Sequence, residues 1–426
     1  MRSRLAVLAA LACAATAVTA ASARAALVLG VARDVGGGGR VSRLVAARAA
    51  SSGSLPYGGG PVLHSNRTHV IFWQPSGSGL AFDPGYQSLI ERFLRDVAAD
   101  SRSPGNVYGL SGQYGDGFGP AAYDSSYAGA VVDGDPLPPN GCVEPPVTGP
   151  GWTVCLTDSQ LQAEIERVVR ADRLPTAVED VYFLVTPDGL GSCTDSSSTS
   201  CALGGSISGY CGYHSQTSDG RILYAVIPYN AVPGHCQSEE PRPNSSTADP
   251  ALSTISHEHS EMITDPVGDA WINSAGQEDG DLCITSFGPA IGGAGATAYN
   301  ETINGDHYFL QEEWSNEDGG CAPRDEPDRA WFSTSPAAPG RKITLVAHAS
   351  DPDASITGYL WMFGDGVTAR GHTVHHSFRR AGRYRVTLRT TDSAGNWTFY
   401  ARAVPVAAAR DRRAGGRARR APAKSG

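Results

Sequence analysis

The feature that most constrains this chain is the placement of its cysteines. Eight of the nine lie between Cys142 and Cys321, and the ninth, Cys13, sits in the N-terminal stretch. An even set without any C-x-x-C pair reads as disulfides formed in an oxidising compartment, not as a thiolate zinc knuckle. Eight cysteines allow 105 pairings. Joining nearest neighbours would give 142 with 155, 193 with 201, 211 with 236 and 283 with 321. Whatever the pairing, one section of the chain is stapled and the last quarter is not.

The N-terminus supplies the matching export signal. "MRSRLAVLAALACAATAVTAASARA" has two early arginines, an apolar run too short to span a bilayer and small residues before Ala25, the pattern of a secretory leader over residues 1–25. No later segment has the apolar length of a membrane span. Residues 26–62, with "GGGG" and "YGGG", read as a low-complexity linker or pro-segment. The basic run after Val406, assigned as a disordered tail over 409–426, could hold an anionic wall polymer. The formal charge of -9 on an exported chain argues against nucleic acid as a partner.

Between these ends the pattern alternates strands and helices. "THVIFWQP" and the runs "VYFLVTPDG" and "ILYAVIPYN" are apolar and β-branched, as buried strands are. "GYQSLIERFLRDVAADSR" and "TDSQLQAEIERVVRADRLP" carry apolar residues at helical spacing, the second opened by Thr157 or Asp158. Shorter strand-like runs are expected at 106–114 and 128–133. The predicted class over 63–325 is α/β: a mixed sheet with packed helices, disulfide-stapled and compatible with a zincin-like domain, in which a helix behind the sheet carries metal ligands. From about residue 326 to 408 polar and apolar residues alternate between turns, predicting an all-β immunoglobulin-like sandwich.

The chemistry centres on "ALSTISHEHSEMITDP". In the zinc-hydrolase pattern H-E-x-x-H two imidazoles one turn apart share an ion and the glutamate serves as base. Here the fifth position is Glu261, so His257 and Glu261 share a helix face. Glu258 stands beside them as the base, and His259 points away. The downstream "EDGDLC" adds Glu278 and Asp281. The expected set is His257, Glu261 and Glu278 or Asp281 around one divalent metal, zinc first, with manganese or iron as alternatives because oxygen ligands discriminate weakly. Asp265 is a further candidate near the helix end. His214 and His235, each close to a cysteine, are candidate extra ligands but read first as residues of disulfide-rich loops, and Trp271 and Trp314, which could stack on sugar rings, read first as core aromatics.

These motifs resemble the phosphate-induced, EXORDIUM-like secreted proteins. The family's H-E-L-A-E-x-x-T-N-P, N-A-W-Y and E-I-A-D-L-C correspond to "HEHSEMITDP", "DAWI" and "EDGDLC", and its C-G-x-H to "CGYH" at 211–214. The resemblance spans about 68–321 and marks His257, Glu258, Glu261, Trp271, Glu278, Asp281 and Cys283. Asp265 departs from the family's asparagine. It implies an extracellular role without specifying a reaction. "GYLWMFGDG" and "HHSFRRAGRYRVTLRTTDSAGN" resemble the polycystic-kidney-disease (PKD) repeat, with Met362 in place of an aspartate. That resemblance implies a spacer or adhesive sandwich in which His372, His375 and His376 are strand-face residues. Together these readings give two expectations: a secreted metal-dependent hydrolase acting on peptides, or a non-catalytic extracellular or cell-wall-associated binding protein.

Overall fold

The computed structural model describes residues 54–143, 152–202, 204, 208–236, 238–325, 329–350, 355–391 and 397–407. The leader, the linker as far as residue 53 and the basic tail lie outside the described residues.

The first domain is built on a five-stranded sheet. Its strands are β1 (Asn66–Trp73), β2 (Ser125–Asp133), β4 (Asp180–Val185), β8 (Tyr213–Gln216) and β9 (Leu223–Ile227), in the order β8-β9-β4-β1-β2. Four run parallel; β8, at one edge, runs antiparallel to β9. Strands covered on both faces have no polar side to show, which is why β4 and β9 read as unbroken apolar runs and are buried throughout.

Helix α1 (Tyr86–Ala99) buries Leu89, Ile90, Phe93, Leu94 and Val97 along one stripe. Helix α2 (Asp158–Ala171) starts at a capping box in which Thr157 and Gln160 each satisfy the other's backbone donor. Helix α3 (Asp249–Thr264) carries the motif and packs against β8, β9 and α1. Every one of its residues is buried. A second sheet joins β3 (Val154–Thr157), β5 (Leu190–Cys193), β6 (Ser200–Ala202) and β7 (Ser208–Tyr210). Two hairpins follow α3: β10 (Glu301–Ile303) with β11 (Asp306–Tyr308), and β12 (Glu313–Ser315) with β13 (Gly320–Ala322).

The four disulfides are Cys142–Cys155, Cys193–Cys201, Cys211–Cys236 and Cys283–Cys321, the nearest-neighbour set. Two brace the second sheet. The other two anchor the segment entering β8 and the loop after α3, which lie on either side of the motif.

Two expectations change. The run at 106–114 is not a strand: residues Val107–Gln113 form a 3-10 helix, because the Asn106 side chain accepts from Tyr108 N and starts a turn. The Gly-rich stretch before residue 63 is not all linker, since Leu55 and Val62 are buried in the first core and Tyr57 bridges to Trp271. Glycine is needed there for close approach: a Cβ on Gly60 would stand 1.8 Å from Asp269 Oδ1.

The second body is the expected sandwich. Strands β14 (Arg329–Thr334), β15 (Ile343–Ser350) and β18 (Thr373–His376) form one sheet. Strands β17 (Thr368–Arg370), β16 (Gly358–Met362), β19 (Gly382–Thr391) and β20 (Trp397–Val406) form the other. Phe332, Leu345, Trp361, Val386 and Leu388 fill the space between them, a core separate from the first.

Candidate metal centre

The motif helix brings its ionisable groups into a wholly buried cluster. His257 Nε2 lies 3.1 Å from Glu261 Oε1, one turn on, as the i, i+4 geometry requires. The same nitrogen is 4.0 Å from Glu258 Oε1 and 3.9 Å from Asp281 Oδ1. Asp281 arrives from the loop after α3, whose backbone also binds the cluster: Asp281 N donates to Glu261 Oε1 at 3.1 Å. Gln311 fixes the far side, donating through Nε2 to Gly280 O at 2.7 Å with the same nitrogen 3.1 Å from His257 Nδ1.

His214 enters from the antiparallel edge strand β8. Its Nδ1 is 3.3 Å from Glu258 Oε2 and 3.5 Å from Glu261 Oε2, and its Nε2 is 3.8 Å from Glu278 Oε1. Of the two readings of His214, the geometry favours the extra ligand over the loop partner, whereas His235 does not join any ligand-like group among the described residues. The expected set is also redistributed. His257, Glu258 and Glu261 come within 4.8 Å of one another, while Glu278 groups with His214 and Glu261 instead of with His257.

The remaining candidates have structural tasks. Asp265 Oδ1 accepts from Asp269 N and Ala270 N, shaping the turn that ends α3. His259 points away, its Nε2 2.9 Å from Asn66 Oδ1. Trp271 donates to Gly115 O, and Trp314 is 7% exposed within the core. In the sandwich, His376 contacts Asp365 and stacks on Phe363, His375 meets Thr344 and His372 meets Thr373, so these three do not converge.

Electrostatics and satisfaction both mark the cluster as unusual. Burial opposes charge on His257, but Glu261 and Glu258 outweigh it and raise its pKa well above the usual value. Burial likewise opposes charge on His214, and there Glu278, Glu258 and Glu261 prevail. Against burial, His257 and His214 hold the Glu261 carboxyl down to about 2. Burial pushes Glu258 up, and Glu278 and Asp281 well up. His257 Nε2, Glu258 Oε1, Glu261 Oε2 and both oxygens of Glu278 have no hydrogen-bond partner although fully buried. Orphaned buried polar atoms of this kind are costly unless a cation or ordered water meets them. One imidazole with adjoining carboxylate oxygens is a donor set that fits zinc, manganese or iron.

Comparison with known proteins locates one part of the chain. The PKD domain profile matches residues 304–403. The structure places the sandwich at Arg329–Val406, while Tyr308, Leu310 and Trp314 belong to the first core. The chain is 30% identical over 98 residues to a microbial collagenase of Vibrio alginolyticus, covering 23% of this chain and 12% of that protein. It is 38% identical over 67 residues to the pre-pro-metalloprotease PrtV of Vibrio cholerae, covering 16% of this chain and 7% of the relative. The chain thus spans a small fraction of these relatives, along their PKD stretches. The crystal structure of the PKD1 domain of PrtV is 30% identical, with a TM-score of 0.18, covering 19% of this chain and 98% of that one. The PKD1 domain of Vibrio anguillarum Epp is 25% identical, with a TM-score of 0.18, covering 20% and 96%. A C-terminal PKD domain and four disulfides fit an extracellular protein. No helix among the described residues is long and apolar enough to cross a membrane.

Proposed function

We propose that residues 54–325 form a zincin-like, metal-dependent hydrolase domain of an exported protein, acting on peptide bonds, with the PKD sandwich as its accessory. The observation that carries this reading is the set of buried, unpartnered donor atoms on His257, Glu258 and Glu261. His257 and Glu261 would hold a divalent cation, with Asp281 beside them. A bound ion would supply Lewis-acid polarisation of a carbonyl and acidify water. The chain's own contribution is Glu258: one oxygen is unpartnered and the other faces His214, so it can accept a proton from water and pass it on. Strand β8, through His214, and the 278–281 loop, through Glu278 and Asp281, both meet these groups, and the burial of His214, His257, Glu258, Glu261 and Glu278 keeps bulk water from them. The EXORDIUM-like resemblance over 68–321 agrees with an extracellular role and adds no reaction. The two Vibrio relatives carry protease names, but what they share with this chain is the accessory domain.

A second reading has its own support. His214, His257, Glu258 and Glu261 are all 0% exposed, so a polymer has no open path to them in this conformation. A non-catalytic extracellular or wall-associated protein with a structural ion would look the same.

Metal content by elemental mass spectrometry, on the untagged mature protein beside a His257→Ala/Glu261→Ala variant, tests the site. Bound zinc or manganese in the parent and none in the folded variant supports it. No metal in the parent after incubation with both ions would sink it. Glu258→Gln then separates the readings, since only hydrolysis needs that carboxylate.

A further inference from the structure

We propose that the cluster is a two-metal centre, in which Glu261 bridges a first ion held with His257 and a second held with His214 and Glu278. This rests on the metal-centre reading above and extends it. The two oxygens of Glu261 face opposite imidazoles: Oε1 is 3.1 Å from His257 Nε2 and Oε2 is 3.5 Å from His214 Nδ1. The ligand-like groups fall accordingly into two triads, His257 with Glu258 and Glu261, and His214 with Glu261 and Glu278, each within 4.8 Å.

The orientation of His214 suits a ligand. Its Nε2 lies 3.3 Å from the Asp265 carbonyl, which can keep an Nε2 proton, while Nδ1 faces Glu258 Oε2 at 3.3 Å and Glu261 Oε2 at 3.5 Å, so a cation among these carboxylates would take the place of an Nδ1 proton. Glu278 is fully buried with neither oxygen hydrogen-bonded, and its Oε1 lies 3.8 Å from His214 Nε2. Charge count points the same way. Glu258, Glu261, Asp265, Glu278, Asp279 and Glu313 are all buried on α3 and the segments packed beside it, an acid-rich interior in which a second cation would favour the ionised carboxylates. Glu258 sits between the halves, 4.0 Å from one imidazole and 3.3 Å from the other. A bridging carboxylate with ions on either side is the arrangement that clamps attacking and leaving oxygens in two-metal hydrolysis.

The test is metal stoichiometry of the full mature chain loaded with manganese, together with its electron paramagnetic resonance spectrum. The expected parent holds about two equivalents and gives an exchange-coupled signal from ions roughly 3.5–4 Å apart. Glu278→Gln, close to isosteric and checked for folding by circular dichroism, should fall to about one equivalent with an uncoupled six-line signal. His214→Ala should do the same. One equivalent in the parent, with an uncoupled signal, overturns the second site and leaves the single-ion reading standing. None in the parent overturns both.

Discussion

At the residue scale, four positions of α3 that lie within five residues of one another have different fates. His257 and Glu261 face one another, Glu258 faces β8, and His259 turns into the apolar core against Asn66, Tyr108 and Phe183. Replacing Glu258 with Gln should leave metal content unchanged and lower hydrolysis by about 10²–10⁴-fold, the range for loss of a general base; an unaltered rate on a peptide panel would remove Glu258 from the mechanism. His259 gives a pH prediction. Burial lowers its pKa to about 3. An imidazole held below its unfolded value of about 6.5 favours the folded state above that pH and costs stability as pH falls from about 6.5 toward 3. His259→Gln should therefore lose less stability than the parent between pH 6.5 and 4 in denaturant titrations, whatever its stability at neutral pH.

At the element scale, the loop after α3 is tight enough to be tested by a single methyl group. A Cβ on Gly280 would lie 2.6 Å from His257 Nδ1 and 2.9 Å from Glu261 Oε1. Gly280→Ala should push the loop off the cluster, reducing bound metal and melting temperature together; normal metal content would show that the loop yields freely. A cap offers a contrast remote from the site. Thr157→Ala breaks the box that starts α2 and should cost about 1 kcal/mol of stability without changing metal content, measured by denaturant unfolding. The elements also show what periodicity can reveal. Leu89, Ile90, Phe93, Leu94 and Val97 identified α1 because one stripe faces the core, and the unbroken runs of β4 and β9 identified buried parallel strands. The 3-10 helix at Val107–Gln113 escaped because an asparagine cap, not a hydrophobic period, organises it.

At the scale of the molecule, the two cores share no residue, and their charge differs sharply. Residues 54–325 hold ten Lys and Arg against thirty-five Asp and Glu, whereas residues 329–407 hold ten against four. An acidic first domain raises the local concentration of cations, in keeping with a metal centre. Separate cores predict separable unfolding. Trp361 fills the middle of the sandwich, so Trp361→Ala should lose about 3–5 kcal/mol there. Calorimetry should show one transition shifted and the other in place; a single shifted transition would mean that the bodies unfold as one.

The sequence by itself determined the α/β-then-sandwich order, the PKD-like character of the second body, the stapled section and the helix face shared by His257 and Glu261. The element order and the shared helix face follow from local rules, hydrophobic period, turn residues and the one-turn spacing of a helix; the stapled section follows from where the cysteines lie, and the PKD-like character from the resemblance carried by "GYLWMFGDG". Only the tertiary structure decided that His214 belongs to the cluster and that Glu278 faces it. His214 is separated from α3 in the chain and meets it only because β8 pairs antiparallel at the sheet edge beside β9. Such a partner leaves no period to read. It is selected by sheet order and by the need to meet buried carboxylates, which are properties of the packed molecule.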